Sequence, residues 1–147
     1  MIILRKFTEE DAPVIQRELY PDMSAEEIIC MIKDWQRNEY NGKYFEMFAV
    51  DVDGGLAGFI SLYEHSRSVA SIGIEIFKKN RQKGYATASI ELLMEYAKDR
   101  GYKILQEQIL TTNTASIRLA EKLGAETDAY VYKNRKGNDV VLYLKLL

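Results

Sequence analysis

Three strand-like runs in succession constrain this chain more than any other feature in it. Tyr44–Val52 (YFEMFAVDV), Leu56–Glu64 (LAGFISLYE) and Val69–Phe77 (VASIGIEIF) are dense in β-branched and aromatic residues. Between the first two lies DGG, Asp53 to Gly55, a turn signal of the kind that closes a hairpin. The third run continues the same meander. Such a sheet buries a face under helices or a second sheet, so the flanking segments decide the architecture.

Those segments read as helices and further strands. Ile2–Phe7 (IILRKF) alternates as a first strand. Thr8 offers an N-cap, Glu9, Glu10 and Asp11 load the first turn of a helix, and Pro13 sits early enough to be tolerated. Ser24 opens a second helix with the capping-box pattern SAEE, and Ile28, Ile29, Ile32 and Trp35 recur at helical spacing. After the meander, Ala86, Ile90, Leu93 and Ala97 line one helix face and Glu91, Glu95 and Lys98 the other, with Arg100-Gly101 as the stop. Tyr102–Leu110 reads as a strand and Asn113–Gly124 as a short helix capped by Asn113. Two last strands, Ala129–Asn134 and Asp139–Leu147, flank the turn signal RKGN. The reading is one α+β domain over residues 1–147, a mixed sheet of seven strands covered by four helices.

Composition narrows the function classes. A net charge of −2 gives no basic stripe for nucleic acid. No apolar run approaches the roughly 20 residues of a membrane span, and the N-terminus turns charged too soon for a signal peptide, so a cytoplasmic protein is expected. Cys30 and His65 are the only residues of their kinds, which leaves no disulfide and no zinc site. Cys30, inside the apolar run IICMI, reads as a buried structural thiol.

The chemistry-bearing stretch is RQKGYATAS, Arg81 to Ser89, between a strand end and a helix start. Unpaired N–H groups and the helix dipole make such a mouth attractive to anions. Gly84 lets a ligand approach the backbone, and Arg81 and Lys83 add formal charge. Together they fit a phosphate or pyrophosphate; the plain alternative is a solvated basic turn. The triphosphate-binding loop and the dinucleotide fingerprint are both absent.

Arg81-Gln82-Lys83-Gly84-Tyr85-Ala86 also fits R/Q-x-x-G-x-G/A, and the element order above resembles the GNAT N-acetyltransferase superfamily from end to end. Asn113–Ala125 (NTASIRLAEKLGA) looks like N-x-x-S-x-x-L-x-x-K-L-G-F of the ribosomal-protein-alanine N-acetyltransferase branch, with Ala125 where an aromatic residue is usual. The resemblance implies a largely antiparallel central sheet, splayed in the middle, that binds acetyl-CoA as co-substrate. Backbone N–H groups from Gln82 to Thr87 would cradle the pyrophosphate, while Ile76 and Asn113 would hold the pantetheine arm. The acceptor would be a primary amine on a peptide N-terminus or a small molecule. Domains of this fold often pair, so a homodimer is a further expectation. A non-catalytic acyl-CoA sensor of the same fold is the alternative.

Acetyl transfer needs a neutral amine, stabilisation of a tetrahedral oxyanion, and a proton for the leaving thiolate. A lysine-like amine of pKa ~10.4 is roughly 4–5 kcal/mol from its neutral form at neutral pH, an α-amino group near ~8 only about 1 kcal/mol. Glu75, mid-strand in GIEIF, is the first candidate base and Glu107, in LQEQI, the second carboxylate; each has a solvated-face alternative. Oxyanion stabilisation is expected from a main-chain N–H near Ile76. Many superfamily members carry a tyrosine at the position of Ala120 as the acid, and the branch resemblance puts Ser116 forward in its place. That hydroxyl has a plainer role in bonding to backbone, and the acid's role can also stand vacant, since a thiolate leaves tolerably well by itself. Trp35, Tyr40 and the acidic Glu26, Glu27, Asp34 and Glu39 are placed on the second helical segment, where they would face the acceptor.

Overall fold

The computed structural model describes residues 1–147. The first strand, β1 (Ile2–Lys6), leads through a 3-10 turn, Glu9–Asp11, into α1 (Ala12–Glu18) and α2 (Ala25–Trp35). The helix expected from Thr8 is thus a tight turn followed by a helix with Pro13 in its first turn. Asp11 explains the break. Its carboxylate accepts from Thr8 N–H and is gripped by both terminal nitrogens of Arg5, at 2.9 and 2.8 Å, while Arg5 Nε reaches Asp51 at 2.8 Å. This half-buried network holds the Asp11 carboxyl below its ordinary range, despite the opposing pull of burial.

The α2 capping box forms as its sequence predicts, with Ser24 and Glu27 each accepting the other's backbone N–H. Ile28 and Ile32 face inward one turn apart. Cys30 lies about 200° around the helix from Ile28 and is exposed, which corrects the expectation of a buried thiol. Trp35 is half-buried and packs between Phe7 and Phe59, with ring centroids 5.0 and 5.9 Å apart, so it is part of the helix–sheet packing on that face.

The meander consists of β3 (Lys43–Val52), β4 (Gly55–Glu64) and β5 (Val69–Ile76). Ahead of it lies an extra two-residue strand, β2 (Glu39–Tyr40), hairpinned to β3 through Asn41-Gly42. Both turn residues have positive φ, 51° and 76°, the signature of a type I′ turn. Eight strands therefore replace the seven expected, and Glu39 and Tyr40 sit on this hairpin, not on a helix. The rest of the chain forms α3 (Tyr85–Asp99), β6 (Ile104–Leu110), α4 (Thr114–Lys122), β7 (Tyr132–Lys133) and β8 (Asp139–Leu146). The run Ala129–Asn134 keeps only two strand residues, because Ala129 adopts φ 62° and breaks the extended path.

The sheet runs β1-β3-β4-β5-β6-β8-β7, antiparallel except for β5 and β6. Helices cover both faces of its first half. Phe48, Val50, Ile60 and Leu62 pack with Ile90, Leu93 and Ala97 of α3, while Ala49 packs with Ile15, Ile28 and Ile32 on the other side. Glu46 is buried on the α3 side but satisfied, since the hydroxyls of Tyr44 and Tyr96 both donate to it. No helix is long and apolar enough to cross a membrane.

A β-bulge separates Val50 from Asp51 along β3, where Gly58 and Leu56 of β4 are the successive partners. Gly58 lies directly under the end of β5. A Cβ there would come within 2.2 Å of Glu75 O and 2.9 Å of Ile76 Cα, so no side chain fits without moving β5. Gly58→Ala is expected to destabilise the fold by about 1–3 kcal/mol, read as a lower denaturation midpoint at unchanged m-value.

Candidate active site

The parallel pair β5 and β6 is joined for only three residues, Val69 to Ser71 against Ile104 to Gln106. Beyond that rung the strands diverge, and β5 runs on to Ile76 and β6 to Leu110 with no pairing between them. Val69 O accepts from His65 N–H and Phe77 N–H donates to Ala57 O, so the odd residues of β5 face β4. Alternation turns the backbone of Ile74 and Ile76 into the gap. The N–H and C=O of Ile74 and the N–H of Ile76 therefore meet no strand.

The wide end of that gap opens at the start of α3. Gly84 takes φ 81°, a conformation that strains other residues, and nothing lies within 4 Å of where a Cβ would be. None of the six backbone N–H groups from Gln82 to Thr87 finds a protein acceptor, and the first bond of the helix is Ala88 N–H to Gly84 O at 3.2 Å. The loop and the gap merge into one cleft of about 520 Å³. Its walls include Glu75, Ile76, Arg81, Gln82, Gly84, Tyr85, Ala86 and Thr87 from the β5–α3 side, and Asn113 and Ser116 from α4. Ten of the twelve residues to which the sequence gives a catalytic or cofactor role thus line one cavity, Lys83 and Glu107 being outside it. Lys83 is exposed and is not among the residues lining the cleft.

Several side chains are more committed than the sequence implies. Arg81 donates through Nε to Ile76 O at 2.9 Å and through a terminal nitrogen to Glu75 Oε1 at 2.8 Å. The carbonyl of Ile76 is therefore taken, and Glu75 keeps only Oε2 without a protein partner. Asn113 accepts from Ser116 N–H through Oδ1 at 3.2 Å, which caps α4 and leaves the side-chain amide free. Ser116 Oγ makes no protein hydrogen bond, so the hydroxyl is not spent on the backbone. Asn80, Ile74, Ala115 and Leu119 complete the cleft without having been singled out. Asn80 is notable because its buried Oδ1 has no partner at all; a polar residue one position ahead of the loop carries no sequence signal for that.

Glu107 lies elsewhere. It is the first β6 residue past the last rung, on the side of α3 and α4, and lines a small void of about 30 Å³ with Ile72, Ala120, Leu123 and Tyr143. Burial among these groups pushes its carboxyl up to about 7. On the opposite face of the sheet, Glu75 shares its side with Phe59, Ser61 and Tyr63 of β4. Tyr63 stands in an aromatic row with Tyr40, 6.0 Å away, and His65, 5.0 Å away.

Comparison with known proteins agrees with this architecture. Residues 1–126 match the model of the acetyltransferase (GNAT) domain family. The SPbeta prophage-derived uncharacterized N-acetyltransferase YokL of Bacillus subtilis (strain 168) is 26% identical over 96 residues, 63% of this chain. The match spans only about half, 54%, of that relative's length. Among solved structures, the ribosomal L7/L12 α-N-protein acetyltransferase RimL in complex with coenzyme A superposes with a TM-score of 0.85 at 18% identity, covering 99% of this chain and 94% of that one. The microcin C7 self-immunity acetyltransferase MccE in complex with acetyl-CoA and AMP gives 0.85 at 18% identity, over 99% and 92%. At such identities the structures speak for the fold, and the family match speaks for membership: this chain belongs to the acetyltransferase (GNAT) domain family.

Proposed function

We propose that this protein is an acetyl-CoA-dependent N-acetyltransferase that moves the acetyl group to a primary amine by direct attack in a ternary complex. The single observation that carries the reading is the run of six unpaired N–H groups, Gln82 to Thr87, opening onto a gap edged by the unpaired backbone of Ile74 and Ile76. A pyrophosphate fits the first of these features and an amide-bearing arm the second. Acetyl-CoA, when bound, supplies the activated acyl group.

The chain's own residues do the rest. The loop N–H groups hold the pyrophosphate at the α3 mouth, where the helix dipole adds to them. Ile76 N–H and the Asn113 amide position the arm from its two sides, and Ile74 N–H faces the oxygen that gains charge as the amine attacks. Glu75, on the face shared with Tyr63, takes the amine proton through the carboxylate oxygen that Arg81 leaves free. Ser116 reaches the arm from α4. The acceptor is an amine on a peptide N-terminus or a small molecule; an α-amino group demands less of the base than a lysine does. We place the enzyme in the cytoplasm, where a lone exposed thiol such as Cys30 stays reduced.

Coenzyme A at about 100 times its Kd is expected to raise stability by about 2.7 kcal/mol, several degrees in a thermal-shift experiment. Acetyl-CoA should then release free thiol only when an amine is present. No shift with either compound would remove the reading; a shift without thiol release against any amine would leave a binding module. Glu75→Gln is expected to lower kcat most at low pH with little change in KM for acetyl-CoA. An unchanged pH–rate profile would take Glu75 out of the mechanism.

A further inference from the structure

The departing thiolate takes a proton for which the resemblance puts Ser116 forward, and the void beneath α4 holds a carboxyl, far more acidic than a hydroxyl, suited to the same task. This void lies one step beyond the cleft along both walls. Ile72 follows Ile74 on the same side of β5, and Ala120 and Leu123 follow Leu119 on α4. The void is a separate small cavity deeper between the same two strands, next to the last rung, and an arm entering at the α3 mouth points toward it. The sulfur lies at the far end of that arm from the pyrophosphate. Glu107 stands at this vertex, one residue past the last rung.

Three side chains with ionisable groups line the void: Glu107, Tyr143 and Lys145. The remaining walls, from α3, α4 and β5, are apolar, with Ile90, Met94 and Ile72 among them. Tyr143 donates its hydroxyl to Glu121, on α4, at 3.5 Å. Lys145 Nζ sits beside Gly124, 3.2 Å from where a Cβ would be, at the C-terminal end of α4 that attracts a cation. Neither Glu107 nor Lys145 makes a side-chain hydrogen bond or an ion pair with the protein, and of the two only Glu107 carries a carboxyl that can give up a proton and be left an anion. Ala120, buried against it, is too small to fill the space or to supply a proton of its own.

Building on the transferase reading, we propose that the Glu107 carboxyl is the catalytic acid that protonates the leaving thiolate from the small cavity beside the last rung. As the amine nitrogen bonds to the acetyl carbon, the carbon–sulfur bond breaks and its electron pair goes to sulfur. Glu107 gives its proton to that sulfur. Its carboxylate regains a proton from solvent once the products have left, and the proton lost by the amine passes to Glu75. Burial that keeps Glu107 protonated up to about pH 7 suits this task.

The test uses the full chain with acetyl-CoA and, as acceptor probes, spermidine and a tetrapeptide beginning with alanine. In the wild type, kcat should fall as pH rises through the neutral range. Glu107→Gln should lower kcat at least tenfold and abolish that descending limb, with KM for acetyl-CoA changed less than twofold, and Glu107→Asp should recover part of the rate. A second readout needs no turnover. A carboxyl whose folded pKa is raised costs stability as pH rises past its unfolded value, so the wild-type Tm without ligand should drop between about pH 5 and pH 8. The Tm of Glu107→Gln should not drop, and should exceed the wild-type value at the upper end. Transfer by Glu107→Gln with the wild-type rate and limb would overturn the proposal while leaving the transferase intact. So would a Tm several degrees below wild type at about pH 8, which would mark a structural role. Binding of coenzyme A without transfer by the wild type to any amine would bring down both readings.

Discussion

The rung that joins Ser71 to Gln106 is where the sheet stops being continuous, and the arrangement of the site follows from it. Two parallel strands cannot be joined by a tight turn, so the chain must cross over between β5 and β6, and it does so through α3. A crossover helix starts at the carboxyl end of the strand it follows. The mouth of α3 and the open end of the gap therefore lie at the same edge for topological reasons, as in other α/β sheets that bind ligands beyond the carboxyl ends of parallel strands. Divergence then leaves the backbone of Ile74 and Ile76 unpaired. Each buried amide without a partner costs free energy comparable to a lost hydrogen bond, which a ligand along β5 would restore.

Arg81 ties this edge together. Its guanidinium bridges the loop before α3 to the last carbonyl of β5 and to Glu75, so the helix mouth and the face of the sheet that carries Glu75 share one cation. The pair is exposed, 54% for Arg81 and 38% for Glu75, and contributes little to stability. Its consequence is geometric: it fixes where the strand ends and the loop begins. Gly58 does the same from below, because any side chain there would strike the backbone of Glu75. A bulged, glycine-bearing strand thus supports the end of β5 that edges the cleft.

Most of the fold was legible because its signals are local. Capping boxes, helical stripes and turn dipeptides act within a few residues, and Ser24–Glu27, the α3 face and the β3–β4 hairpin all formed as read. The open helix mouth after β5 was legible for the same reason, since a left-handed turn leaves a glycine, Gly84, behind in the sequence. What failed depended on geometry between elements. Cys30 sits in an apolar run yet faces out, because a helix buries only one stripe. Tyr40 follows a helical stripe in sequence yet lies in a strand, because Asn41-Gly42 closes a type I′ hairpin directly after it. Glu107 was visible as a mid-strand carboxylate, but its seclusion depends on where β5 and β6 part, which no single strand reveals.

The two halves of the proposed site are built by different means. In the proposed function the donor would be held chiefly by main-chain groups at Ile74, Ile76 and Gln82 to Thr87, which ask for the glycine and the splay more than for particular side chains. The acceptor face depends on side chains: Glu75, the half-buried Ser61 and Tyr63 beside it in register, and Tyr40 and His65 at the rim. Tyr40 reaches that rim on a two-residue strand held by a single turn, far in the chain from every residue that contacts the donor cleft. If Glu75 receives the amine as proposed, changes in this hairpin would alter the approach to it while leaving the rung, the gap and the α3 mouth untouched.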